Sequence, residues 1–456
     1  MTTYQFTGTL HLPGADGYEQ ARVGRVFNAR RPDRRPAAVL EAATEQDVVQ
    51  GVRLARERGW QVAVRSGGHS WAAWSVRDQG LLLDLGGLRE IGYDPETGIA
   101  TAQPAVKGGD ELNPHLALHG RFFNGGHCPS VGLGGFLLQG GMGWNARGWG
   151  WAAERITAID VVTADGELVR ADEQQHADLF WAARGAGPGL PGVVTRFHLR
   201  TLPLPEALSH TVHIYPAALF EPVMTWLHHI HAGISTDVEL VALTQTLPEF
   251  GPEPVLLVTG LAFSDTREAA EAALAPLTTC PLLDRALVRR DAEPTTFAEQ
   301  CVAQREANPE GHRYLVDNAW LTGPAEQLVP AMRRTFTEPP TAKTFTIWFS
   351  MAPLRQLPEF ALSLQSEIYL ATYLVYEDPA EDAGHREWLA ARMAELQPHT
   401  VGQYLGDSDF TTRRLAFLAE PNWQRLQGIR AERDPESRFA GYLSGPQPVD
   451  NINHWQ

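Results

Sequence analysis

The clearest helical periodicity opens at Ala43-Thr-Glu-Gln-Asp47, where Thr44 stands as an N-cap with Asp47 three residues on. Val48, Val52 and Ala55 then share one face until Gly59 ends the run. The apolar runs that follow have strand length: Trp60 to Val64, Leu81 to Leu85 and Ile99 to Val106. A short helix is predicted around Asn113 to His119, leading into Phe122 and Phe123. Ile156 to Thr163 and Glu167-Leu-Val169 flank the turn Ala164-Asp-Gly166, the pattern of a hairpin with an Asp-Gly tip. Helices and strands mix without a regular βαβ alternation, which places this part of the chain in the α+β class.

From about residue 205 the pattern shifts to longer strands and helices. Leu240 to Thr246, Val255 to Phe263, Lys343 to Met351 and Glu367 to Tyr376 are strand candidates, and Thr266 to Leu277 and Gly384 to Leu396 are amphipathic helices. Such a mixture predicts an antiparallel sheet with helices on one face and the other face free. Period-two alternation separates Glu367, Tyr369, Ala371, Tyr373 and Val375 from Ile368, Leu370, Thr372, Leu374 and Tyr376. The first set carries a carboxylate and two phenols, so that face is expected to meet a substrate. The neighbouring candidate groups Thr344, Thr346, Trp348 and Ser350 in the same way.

A chain of 456 residues is long enough for two domains. With 54 acidic and 38 basic side chains the net charge is −16, which disfavours nucleic acid and anionic lipid as partners. The opening MTTYQFTGTLHLPGAD lacks a basic region followed by an apolar run, and no membrane span is expected. Three cysteines, Cys128, Cys280 and Cys301, with no CxxC spacing, imply neither a disulfide framework nor a zinc site and fit a reducing cytoplasm. His228 and His231 share a helical face, but no metal partner is identifiable and none is expected.

Two glycine-rich stretches change the picture. In Arg65-Ser-Gly-Gly-His-Ser70, Gly67 and Gly68 allow positive φ and close approach of backbone to a ligand, with His69 facing it. Downstream, eight glycines fall in the 19 residues from Gly125 to Gly143, a density read as incompatible with an ordinary helix or strand. Phe136, Leu137, Leu138, Met142 and Trp144 show that this tract is packed, so it is expected to wrap a large flat or polyphosphorylated ligand. Gly187-Pro-Gly-Leu-Pro-Gly192 matches a dinucleotide fingerprint only as a string, because the strand-like Val193 to Leu199 follows where a helix should begin.

RSGGHSW and GGHCPSVGLGGFLLQGGMGW, about sixty residues apart, together resemble the berberine-bridge-enzyme-like branch of the vanillyl-alcohol-oxidase, or PCMH-type, flavoproteins. The likeness continues through the capped helix at Thr44, the VVTADG hairpin at 161–166, DLFWAARG at 178–185 and GVVT at 192–195, and covers the first 200 residues closely. It implies a two-part FAD-binding domain over residues 1–204 and a substrate domain with a large antiparallel sheet, helix-covered on one face, over 205–400. It also implies a C-terminal segment over 401–456 that returns to the FAD-binding domain. The resemblance makes His69 and Cys128 the two covalent anchors of FAD, at the 8α-methyl and C6. A thiolate and a neutral imidazole are also the side-chain nucleophiles suited to an electrophilic ring. Cofactor contacts are expected from Arg65, Ser66, Gly67, Gly68, Ser70, Val131, Gly132, Gly134, Gly135, Gly140, Gly141, Gly143 and Val193. GAGPGLPG departs from the family's GGGGNFG, which leaves the contacts of Leu190 open. For the catalytic base the resemblance favours Tyr404, in Gln403-Tyr-Leu-Gly-Asp-Ser-Asp409; Tyr373, Tyr369 and Glu367 follow. The implied activity is an FAD-dependent oxidase that takes a hydride from a small-molecule alcohol or amine and passes electrons to O2. A dehydrogenase with another acceptor, and a non-catalytic binding protein on the same scaffold, are the alternatives.

Overall fold

The computed structural model describes residues 4–410 and 413–443; the Pro446 to Gln456 tail lies outside them. The capped helix spans Glu45–Arg58. Thr44 Oγ1 accepts the Asp47 amide at 3.1 Å, the Asp47 carboxylate accepts the Thr44 amide at 3.1 Å, and Gly59 closes the helix at φ 66°. Val48, Val52 and Ala55 bury against Leu40, Leu81 and Leu83 of the neighbouring sheet. That sheet runs Thr9–His11, Ala38–Glu41, Leu81–Asp84, Val62–Arg65, and its last three strands are parallel. Pattern alone did not disclose this local βαβ unit, because its strands are only four residues long.

A second, antiparallel sheet holds the Ile156–Val162 and Leu168–Ala171 hairpin beside Val193–Arg200, Ile99–Ala102 and Ile91–Asp94. Val193–Arg200 follows the short turn Gly187–Gly189, so the fingerprint-like string leads into a strand. The glycine tract corrects an expectation. Leu133–Leu138 is helical despite Gly134 and Gly135, since Leu133 and Leu137 are buried and a Cβ on Gly134 would meet Ser66 Oγ at 2.6 Å. Close packing against the Ser66 loop outweighs the propensity penalty.

The eight-stranded antiparallel sheet has the order Val288–Thr295, Ala207–Pro216, Val255–Ser264, Val238–Gln245, Phe345–Ser350, Ile368–Tyr376, Arg313–Leu321, Thr400–Gly402. Phe220–Ile230, Arg267–Leu274, Ala325–Thr337 and Asp382–Leu396 supply the helical side chains that pack with Ile368, Leu370, Leu374 and Trp348 in one core. Tyr369, Ala371, Tyr373 and Val375 belong to a different core, shared with the glycine tract. The alternation of side chains across a strand thus sorts the two faces as the pattern predicts. The set containing Trp348 faces the helices, and Phe345, Ile347 and Phe349 take the other side.

After the sheet, the chain returns to the first strands: the Val62 amide donates to Arg438 O at 2.7 Å and the Ala440 amide to Val62 O at 2.9 Å. Among the described residues no helix is long and apolar enough to cross a membrane.

Candidate active site

The Val62–Arg65 strand delivers the histidine loop from a rigid anchor. Arg65 is buried, its guanidinium held by Asp84 (Nε 2.9 Å) and by the Arg22 carbonyl at 2.6 Å. Its side chain therefore secures the loop's root within the core. Gly68 sits at φ +80°, where a Cβ would fall 1.8 Å from Arg25 O. Gly67 meets the second loop directly, since a Cβ there would lie 2.7 Å from Gly132 N. This contact between bare backbones brings the His69 and Cys128 loops together.

His69 stacks on Phe27, with ring centroids 4.5 Å apart. Ser130 Oγ lies 3.2 Å from His69 Nε2 and 3.5 Å from Cys128 Sγ. Burial, reinforced by the Lys107 charge, pushes the His69 pKa down to about 4, so the ring is neutral at neutral pH. Burial also pushes the Cys128 thiol up.

Both side chains line a cavity of about 1000 Å³ that passes between the first domain and the sheet. Its walls include Arg65, Ser66, Gly67, Gly68, Ser70, Val131, Gly132, Gly134, Gly135 and Val193. Gly140, Gly141 and Gly143 do not line it. Gly140 and Gly141 turn the chain at φ +101° and +73°, and a Cβ on Gly143 would lie 2.0 Å from Asn124 O. Those three glycines answer to the chain's own path. Bare backbone at Gly67, Gly132 and Gly135, the hydroxyls of Ser66 and Ser70, and two nucleophiles at one end form a donor set that fits FAD: amides for an anionic pyrophosphate and an apolar slot for a flat ring. Arg77, also in the wall and missed by sequence reasoning, is half-buried beside Gly441 and donates to its carbonyl.

Across the cavity from His69 and Cys128 is a cluster of phenols around one carboxylate. Tyr369 donates to Asp407 Oδ2 at 2.7 Å and Trp71 Nε1 to Oδ1 at 3.2 Å. Asn318 Nδ2 pins the 404–407 turn by donating to the carbonyls of Tyr404 and Asp407, each at 2.9 Å. Tyr404 Oη accepts the Met142 amide at 3.2 Å, and Tyr373 stacks on Phe345 at 4.7 Å. Tyr373, Tyr404 and Asp407 line the cavity, whereas Tyr369 stands behind Asp407 and does not. Burial first, and the Asp407 charge after it, pushes the pKa of Tyr369 and Tyr373 well up; burial likewise raises that of Tyr404. Glu367 is exposed, one residue before its strand, and does not line the cavity. Nothing in the sequence of the Gln403 to Asp409 segment singles out Asp407; the fold brings it to Tyr369.

At the sheet's other end, His127 Nε2 lies 3.0 Å from Glu239, which also accepts the Asn145 amide at 2.6 Å. His231 lies away from the cavity, hydrogen-bonded to Ser350 Oγ at 2.9 Å, and no group of three metal-ligating side chains occurs among the described residues.

A cavity with this donor set, framed by glycine loops and roofed by an antiparallel sheet, defines a flavoprotein oxidoreductase. Residues 36–172 match the family model described as an FAD binding domain. The chain is 37% identical over 433 residues to the FAD-linked oxidoreductase nodO of Hypoxylon pulicicidum, covering 94% of this chain and 96% of that protein. It is also 37% identical over 430 residues to the FAD-linked oxidoreductase janO of Penicillium janthinellum, covering 93% and 95%. Its fold matches 6-hydroxy-D-nicotine oxidase from Arthrobacter nicotinovorans with a TM-score of 0.84 at 21% identity, over 97% of this chain and 99% of that one. The chain belongs to the FAD-linked oxidoreductases that carry this FAD binding domain.

Proposed function

We propose that the protein is an FAD-dependent oxidase whose cofactor is bonded to His69 and Cys128. It acts on an alcohol (a sugar, an aromatic alcohol or a secondary-metabolite intermediate) or an amine. The observation that carries this reading is the placement of a neutral imidazole and a thiol, joined through Ser130, at the wall of one long cavity. A glucooligosaccharide oxidase of the same fold is described with a 6-S-cysteinyl, 8α-N1-histidyl FAD, which supports it. Bound there, FAD supplies the two-electron acceptor for a hydride.

The chain's own residues bind, orient and take a proton. Asp407 replaces Tyr404 as the candidate base, because each phenol is driven away from ionisation by burial while Tyr404 already accepts the Met142 amide. Tyr369 from behind and Trp71 from the cavity wall fix the Asp407 carboxylate, so it accepts the substrate's O–H or N–H proton as the hydride leaves. Phe345, Ile347 and Val241 form an apolar roof that keeps water from the transfer. Dioxygen is the expected second substrate and hydrogen peroxide its product.

Acid-precipitated wild-type protein should remain yellow and carry the mass of one FAD. Anaerobic flavin bleaching across an alcohol, sugar and amine panel should then identify the substrate class. A colourless precipitate removes the covalent assignment. Reduced enzyme that persists in air yet is rapidly oxidised by a quinone dye replaces the oxidase by a dehydrogenase.

A further inference from the structure

Ser130 does not line the cavity; it sits behind the two side chains that do. The turn closed by the Val131 amide on Cys128 O, at 3.2 Å, folds Ser130 back toward Cys128 Sγ, while its hydroxyl also reaches His69 Nε2. A serine hydroxyl has one hydrogen and two lone pairs, so it can donate to only one of the two partners at a time. Two arrangements in which it donates bear on attachment. When Cys128 donates its S–H to Ser130 and Ser130 donates to Nε2, the imidazole hydrogen is on Nδ1 and neither anchor is nucleophilic. When Nε2–H donates to Ser130 and Ser130 donates to sulfur, Nδ1 carries a free lone pair and the hydrogen bond to sulfur favours its thiolate over its thiol.

We propose that Ser130 is the positioning residue for attachment of FAD at both anchors: its hydroxyl fixes the His69 tautomer that leaves Nδ1 free and at the same time stabilises the Cys128 thiolate. The inference rests on the covalent reading above. At His69, an N–C bond forms as the imidazole loses its hydrogen and the 8α-methyl carbon loses one. At Cys128, an S–C bond forms as the thiol and the ring carbon each lose one. Each bond leaves two electrons on the ring, and dioxygen accepts these with the two protons, so one hydrogen peroxide accompanies each bond. Because one hydroxyl serves both side chains, loss of it slows both bonds together.

The test follows covalent incorporation of FAD into flavin-depleted full-length protein, by intact mass and peptide mapping of residues 69 and 128. Ser130→Val and Ser130→Thr have equal shape and differ in the hydroxyl. Ser130→Val should bind FAD yet form both bonds about 10-fold or more slowly, the loss of one hydrogen bond to a reacting group. Ser130→Thr should stay within about threefold of wild type, two peroxides should accompany each FAD, and Ser130→Ala should behave as the valine variant. Wild-type rates in the valine and alanine variants, or a threonine variant as slow as valine, overturn the role of Ser130 alone. Wild-type protein that releases all its FAD on denaturation overturns this inference together with the covalent reading.

Discussion

At the scale of single residues, the active-site chemistry turns on which group can change protonation where it stands. Asp407 is a carboxylate held by two donors on a turn pinned by Asn318, whereas the surrounding phenols are buried. Asp407→Asn keeps shape and hydrogen bonding but removes the acceptor of the proton, so anaerobic flavin reduction should slow by about 10²-fold or more, with FAD still bound. Tyr404→Phe should cost far less; the reverse order of effects returns the base to Tyr404. Val131 lies in the cavity wall three residues after Cys128. Valine is one methylene smaller than isoleucine, and adding that group to a packed site costs about 1–3 kcal/mol. Val131→Ile should therefore slow reoxidation by O2, read by stopped flow, at an unchanged rate of reduction by substrate. Equal reoxidation rates would show that this side chain does not control oxygen access.

Among the elements, the helix Phe220–Ile230 and the strand Phe345–Ser350 are joined where the helix ends, by the buried His231. Burial, then the charges of His228 and Arg147, holds its pKa down at about 4, against 6.5 in the unfolded chain. The folded state thus resists protonation. The stability tied to His231 is fully present above pH 6.5 and is lost as pH falls toward 4, on the order of 3 kcal/mol in all. His231→Gln preserves a partner for Ser350 and should flatten the fall of Tm between pH 6.5 and 4; an unchanged slope would assign the acid sensitivity elsewhere. The same elements show what a sequence discloses. The Thr44 capping box and the alternation of Tyr369, Ala371 and Tyr373 with Ile368, Leu370 and Leu374 were legible because capping and pleat are local, set by neighbours within a few residues. The contact of Tyr369 with Asp407 spans 38 residues and was not legible. Nor was the sorting of the glycines: a glycine demanded by positive φ, as Gly140, reads the same as one demanded by the other loop, as Gly67.

On the scale of the whole molecule, the flavin-binding part and the sheet share one core. Trp320, fully buried on the strand Arg313–Leu321, meets Trp151 of the glycine-tract side at 6.1 Å and Tyr369 at 5.0 Å, while Trp151 meets Tyr404 at 5.3 Å. Asn28, also buried, exchanges two hydrogen bonds of 2.9 Å with the Tyr314 backbone, which extends the sheet's contacts to the N-terminal segment. A cavity that needs both walls is held open only while they stay in register, so we expect residues 1–204 and the sheet of 205–400 to unfold as one cooperative unit. Trp320→Ala removes the largest side chain shared by the two and should cost about 3–5 kcal/mol. Calorimetry should show the single transition displaced downward as a whole, with flavin fluorescence and far-ultraviolet circular dichroism moving together. If the variant splits into two transitions, with flavin exposure preceding loss of the sheet, the shared core is divisible and the two parts are independent folding units.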